Sequence, residues 1–352
     1  MAGTFDDTRL EDEEALARAD SVLRPLAEAG SRVRREIGAA AEAIAQAVTA
    51  AAGDARPRAV VAAGPDSRLL RAVLEPSCPV PFVAWPGPSL PGWAGTLDLV
   101  IVLAPVGSDS GTASAVAEAV RRGCQLVVAC PPHSLVAEHA AGRHSTILPA
   151  SSGDQLATAV VMLEFLDRLA LGPDTDAEAV AAALDAVAVQ CSPLQTLSVN
   201  PAKMLAIVLA DAVPLVWGGS VLAARAARRV AESLRRSSGR AALAADAEHL
   251  LPVIAAARTR DVFADPFADS GSPGSMEDTD LRPALVILDD GSVDASVREQ
   301  RGRLTYAAQQ RGVRVETVTS DAGDGLARYA SLFATGTYTA AYLGVGLDHL
   351  AR

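Results

Sequence analysis

Short runs of consecutive apolar residues, rich in valine and alanine, alternate along this chain with longer stretches in which apolar residues recur every three or four positions. The first texture suits strands buried on both faces of a parallel sheet, and the second suits helices with one buried face. The clearest case spans 98–129, where Leu99-Val-Ile-Val-Leu103 breaks at Pro105-Val106-Gly107 and passes through Ser108, Ser110, Thr112 and Ser114. An alanine-rich helical stretch then ends at Arg121-Arg122-Gly123, basic residues followed by a glycine stop, and a second run, Leu126–Ala129, follows at once. This predicts a right-handed βαβ unit. Its loop lies at the carboxyl end of a strand and the amino end of a helix, where N–H groups and the helix dipole favour an anion such as phosphate. The same loop serves equally as a plain connection, since no full phosphate-binding fingerprint is present.

The remaining pattern extends this texture in both directions. Residues 8 to 51 read as helix, with one stripe through Leu10, Leu16, Ala19, Leu23 and Leu26 and another through Val33, Ile37, Ala40, Ile44 and Val48. Gly30-Ser31 is expected to divide them, and Arg32, Arg34, Arg35 and Glu36 to form a solvated face. Strands are expected at Ala59–Ala63, Val80–Ala84, Leu99–Leu103, Leu126–Ala129 and Ser145–Leu148, closed by a helix over Leu156–Leu171. After a helical connector, Val213–Trp217 reads as a strand, and Gly218-Gly219-Ser220 opens a helix to Arg236. Ala284–Leu288 and Val313–Val318 are further strands, with helices over Val297–Arg311 and Leu326–Leu347. The expected domains are an N-terminal helical arm (1–51), a first α/β domain (52–170), a helical connector (171–200) and a second α/β domain (201–352). The Asp-, Ser-, Gly- and Pro-rich stretch 261–281 reads as a mobile loop.

Composition narrows the function classes. With 42 acidic against 31 basic residues the net charge is −11, which argues against nucleic acid as a main partner. No apolar run is long enough to span a bilayer, and the acidic residues after Met1 are unlike a signal peptide, so a cytoplasmic protein without membrane contact is expected. Cys78, Cys124, Cys130 and Cys191 show no CxxC spacing. Reduced buried thiols are favoured over a metal site built on Cys130, His133 and His139, and no cofactor is expected. Lys203 is the only lysine.

Several stretches resemble the sugar isomerase (SIS) superfamily, and within it the bifunctional phosphoglucose/phosphomannose isomerases in a divergent, actinobacterial form. They are Leu90-Pro-Gly-Trp-Ala-Gly95 before Leu97-Asp-Leu-Val-Ile101, Arg122-Gly123, Leu215-Val-Trp-Gly218, Leu332-Phe-Ala-Thr-Gly-Thr-Tyr338 and Tyr342-Leu343. The resemblance implies two flavodoxin-like doubly wound parallel-sheet SIS domains, a homodimer, and a sugar-phosphate ligand. It also implies proton transfer between C1 and C2 by a carboxylate base, after ring opening by a histidine.

The chemical positions depart from that pattern. Laid on the family's phosphate loop, the chain reads Ala104 to Thr112, with Asp109 where a threonine hydroxyl would meet phosphate. Pro65 removes an N–H from the first glycine loop. The family's base falls on Arg236, and its ring-opening histidine falls near Leu251-Pro252, with His249 upstream. The ligand-binding candidates are therefore Gly64, Ser67, Gly107, Ser108, Ser110, Thr112, Gly218, Gly219, Ser220 and Arg236. His249 is the one catalytic candidate. The expected function is sugar-phosphate binding with isomerase activity lost or much weakened. The alternatives are an active isomerase using Glu232 or Glu248 with His249, and a structural partner of a mannose or sugar-nucleotide pathway enzyme.

Overall fold

The computed structural model describes residues 4–53, 55–257 and 281–349. The chain divides into two compact units, Glu28–Asp185 and a second made of Met1–Ala27 with Ala186–Arg352. The helical segment 8–51 is thus shared between them.

The N-terminal residues form a 3-10 turn (Asp7–Leu10), α1 (Glu13–Arg18) and α2 (Asp20–Ala27), which belong to the second unit. The first unit then runs α3 (Ala29–Ala51), β1 (Val60–Ala63), α4 (Ser67–Leu74), β2 (Phe82–Trp85), β3 (Leu99–Leu103) and α5 (Ser110–Arg122). It continues with β4 (Gln125–Cys130), α6 (Leu135–His139), β5 (Ser145–Pro149) and α7 (Gln155–Arg168), and the division from the second unit falls within α8 (Ala177–Gln190). Its five strands are all parallel in the order β2-β1-β3-β4-β5, the flavodoxin-like doubly wound order. Val100, Val102, Leu126 and Val128 pack on Ala113, Val116 and Ala119 of α5, which is why the strands carry unbroken apolar runs.

The second unit continues through α9 (Pro201–Leu209), β6 (Ala212–Gly218), α10 (Val221–Ser238), β7 (Leu243–Ala244) and α11 (Ala247–Ala255). After the undescribed residues come β8 (Arg282–Asp289), α12 (Ala295–Arg311), β9 (Arg314–Thr319) and α13 (Gly325–Gly346). Its four described strands are parallel in the order β7-β6-β8-β9, which repeats the first four positions of the other sheet. Leu215, Trp217, Leu285 and Ile287 meet Leu250, Ile254 and Leu304 in its core.

Three expectations fail, each for a physical reason. The helices α2 and α3 divide at Glu28, two residues before Gly30, which lies in the first turn of α3. A Cβ there would overlap Asp185 Oδ1 and lie 2.6 Å from the Ala181 carbonyl oxygen, so the glycine lets α3 approach α8 closely. The Arg32–Glu36 face is not simply solvated. Glu36 is buried and its carboxylate accepts from the Ser151 and Ser152 N–H groups, while Arg32 Nη2 lies 2.8 Å from Asp154. Finally, β2 begins at Phe82 rather than Val80, after Pro81, whose carbonyl accepts from Val60 N–H at 2.9 Å. The segment 261–281 lies outside the described residues apart from Leu281.

Lys203 is fully buried in the second unit and donates to the carbonyls of Pro193 (3.0 Å) and Gln195 (2.9 Å). Tyr342 Oη donates to the Cys191 carbonyl at 2.6 Å, so the two side chains fasten the turn before α9 together. Burial pushes the Lys203 ammonium below its ordinary range, with Glu11 opposing. Because it is the only lysine, amine acylation should label the native chain at the terminus alone. Peptide mass mapping should find Lys203 labelled only after unfolding. Labelling of Lys203 in native protein would contradict this placement.

Candidate functional site

At the carboxyl edge of the first sheet, the β1–α4 loop turns at Gly64, whose φ of +89° is a left-handed conformation that suits glycine. A Cβ on Gly64 would lie 3.3 Å from Thr112 Oγ1, so the first glycine loop and the start of α5 meet here. Ser67, the first residue of α4, is buried, and its hydroxyl has no hydrogen-bond partner among the described residues. Gly107, at φ +73°, packs against the β4–α6 loop, where a Cβ would overlap Ser134 Cβ and lie 2.6 Å from its Oγ. Ser108 and Ser110 are exposed beside it.

The amino end of α5 is already filled. Asp109 caps it, with one carboxylate oxygen accepting from both Thr112 N–H and Thr112 Oγ1–H at 2.6 Å. These bonds hold the Asp109 carboxyl below the usual carboxylate range. Asp154 closes α7 in the same manner, accepting from Leu156 N–H (2.8 Å) and Ala157 N–H (3.0 Å). At α4 the cap residue Asp66 makes no such bond; Gln155 Nε2 donates to it instead. Of the helix starts at this edge, α4 thus keeps a buried hydroxyl with unspent capacity.

The second unit repeats the arrangement with different residues. Gly218 ends β6 where a Cβ would overlap the Ala223 carbonyl group, and Gly219 fits between Val297 and the Trp217 ring. Ser220 caps α10, accepting from Ala223 N–H at 3.0 Å and donating to the Asp290 carboxylate. Asp290 lies just beyond β8, and its carbonyl accepts from Arg328 Nη1 at 2.9 Å. Among the described residues the Arg328 guanidinium meets only carbonyls, those of Asp290, Ala322 and Gly323, and no carboxylate. Nothing in the sequence pattern points to Asp290, Arg328 or Gln155. The acidic doublet Asp289-Asp290 after an apolar run is the nearest signal.

Two candidates do not join these clusters. Arg236 stands in the last turn of α10, exposed and 2.5 Å from Glu232. It stands sixteen positions along the helix from Ser220, or about 24 Å at 1.5 Å per residue. His249 is an exposed residue of α11 whose ring makes no hydrogen bond among the described residues. Its neighbour Glu248 pairs with Arg303 at 2.9 Å, and Glu232 with Arg229 at 3.0 Å. Among the described residues no group of three or more His, Cys, Asp or Glu is placed to hold a metal ion.

Two parallel doubly wound sheets, each with a glycine- and serine-bearing turn at its carboxyl edge, define an α/β protein of flavodoxin-like architecture. Residues 198–348 match the family model of the bacterial phosphoglucose isomerase C-terminal SIS domain. No curated protein matches the chain by sequence. Among solved structures, a candidate phosphosugar isomerase from Silicibacter pomeroyi DSS-3 aligns with a TM-score of 0.64 at 15% identity, covering 91% of this chain and 95% of that one. Tagatose-6-phosphate ketose/aldose isomerase from Escherichia coli aligns with a TM-score of 0.63 at 14% identity, covering 93% of each chain. The C-terminal domain of glucosamine-fructose-6-phosphate aminotransferase from Francisella tularensis gives 0.58 at 12%, covering 90% and 96%. At such identities these likenesses speak for the fold.

Proposed function

We propose that this chain binds a sugar phosphate at the carboxyl edges of its sheets and turns it over slowly or not at all. The carrying observation is the Ser67 hydroxyl, buried at the start of α4 beside Gly64 and Thr112 with no partner among the described residues. Native structures leave few such groups unsatisfied, and a ligand oxygen would satisfy this one. The match of residues 198–348 to a phosphoglucose isomerase SIS domain supports the sugar-phosphate class. Weak catalysis is supported by the chemistry of the matched positions. Proton abstraction at C2 needs a carboxylate within hydrogen-bond reach, and the resemblance places Arg236 there. Arg236→Glu alone should not restore turnover, since ring opening still lacks a group at Pro252.

Calorimetric titration with glucose 6-phosphate, mannose 6-phosphate and fructose 6-phosphate tests the binding. Saturable binding that weakens at least about tenfold in Ser67→Val is expected. The absence of binding for all three sugars would refute the reading.

The proposal includes a cytoplasmic homodimer. The unpaired thiols of Cys78, Cys124, Cys130 and Cys191 fit a reducing compartment. Val189, Leu194, Val199 and Met204 are 65, 93, 62 and 50% exposed within one short stretch of the second unit, an apolar surface that a second copy would cover. Light scattering should give twice 36.1 kDa at micromolar concentration. A monomer mass would remove the dimer from the account.

A further inference from the structure

At the opposite edge of the first sheet, the amino ends of β3, β4 and β5 open onto a cavity of about 430 Å³. Small side chains on the last turns of α3, such as Ala47, leave the space unfilled, and Leu126 and Phe165 form an apolar floor. Its size falls among small-molecule sites, which run roughly 300–1,000 Å³.

The charge at the mouth runs against the chain as a whole. Arg56, Arg143 and His144 stand there, all exposed, and among the described residues no aspartate or glutamate lines the cavity. Yet the chain carries 42 acidic residues against 31 basic. Elsewhere in this unit Arg32 pairs with Asp154, Arg58 with Asp98, Arg122 with Glu118 and Arg168 with Glu164, while Arg35 and Arg68 have no ion pair among the described residues. Among the described residues Arg56 and Arg143 have no ion pair or hydrogen bond. Both α3 and α7 direct their carboxyl ends toward this edge, so no helix amino terminus supplies anion-binding N–H groups. The negative ends of those helix dipoles oppose an anion, so any anion here must be held by the two guanidinium groups, whose planar donors match carboxylate and phosphate oxygens in pairs.

We infer that this cavity is a second small-molecule site, separate from the carboxyl-edge cluster, for an amphipathic anion. A short apolar body lies over Leu126 and Phe165, and a carboxylate or phosphate head meets Arg56 and Arg143.

Calorimetry on the full chain with octyl phosphate and with octanoate tests this, and distinguishes the two head groups. Inorganic phosphate and octanol serve as controls for each half of the ligand. At least one amphiphile should bind saturably, one per chain, at least about tenfold more tightly than either control. Arg56→Ala with Arg143→Ala, both exposed and without fold-bearing contacts, should weaken that binding at least about tenfold. Ala47→Phe, which fills the floor, should weaken it as well while circular dichroism stays unchanged; the arginine pair carries the test if that variant misfolds. Saturable binding by neither amphiphile, control binding of equal strength, or affinity unmoved by the arginine variant would overturn the inference.

Discussion

Alanine at position 218 is expected to cost the second unit more than about 3 kcal/mol, beyond the usual range for an added methyl group. The reason is the identity of the atoms in the way. A Cβ on Gly218 would overlap the carbonyl carbon and oxygen of Ala223 and lie 2.7 Å from Ala224 N. These are backbone atoms of the first turns of α10, so no rotamer change relieves the clash, and the helix must lift from the end of β6. Movement there would also disturb the Ser220 cap and its bond to Asp290. Gly302, inside α12, is the natural control, because a Cβ there meets nothing within 4 Å. Gly302→Ala should stabilise by about 0.5–1 kcal/mol through helix propensity. Urea unfolding followed by fluorescence of the buried Trp217 would compare the two. A loss below about 1 kcal/mol for Gly218→Ala would mean that β6 and α10 are not held this closely.

Asp109→Ser is expected to raise affinity for sugar phosphate about tenfold while leaving stability within about 1 kcal/mol. Serine and aspartate are nearly equivalent helix caps, so the Thr112 N–H keeps an acceptor. What changes is charge. The Thr112 hydroxyl and N–H hold the Asp109 carboxyl below its ordinary range, so at neutral pH it is ionised. The stabilisation this provides is present above the unfolded carboxylate pKa and fades as pH falls through the lower, folded value. Over that neutral range the carboxylate occupies the donors a phosphate would use, and it repels one by roughly 1–4 kcal/mol at 4 Å. Calorimetry on both proteins at pH 7 decides the matter. Unchanged affinity would mean that phosphate does not approach the start of α5.

Most strands and helices were legible because their hydrophobic textures are long and uninterrupted, as in Leu99–Leu103 and the helix over 110–122. β7 was not, since two residues, Leu243 and Ala244, carry no periodicity. The break between α2 and α3 falls at Glu28 rather than Gly30, because a glycine required for close approach looks, in sequence, the same as one that ends a helix. In the candidate site, the meeting of Gly64 with Thr112 follows from the doubly wound order, which places β1 beside β3. The local cap at Asp109 also follows from its position before a helical run. The Ser220–Asp290 bond joins residues 70 positions apart, and no local pattern reveals it. Arg236, set at the family's base position by the resemblance, stands most of one helix away from Ser220.

The most direct measurement sets binding and turnover side by side on one preparation: titration with glucose 6-phosphate, and a coupled assay for fructose 6-phosphate formation. Loss of a base and an acid typically removes about two to four powers of ten for each role, without adding cleanly. The account predicts saturable binding with turnover at or below detection. Conversion at ordinary enzymatic rates, abolished by His249→Ala, would contradict it.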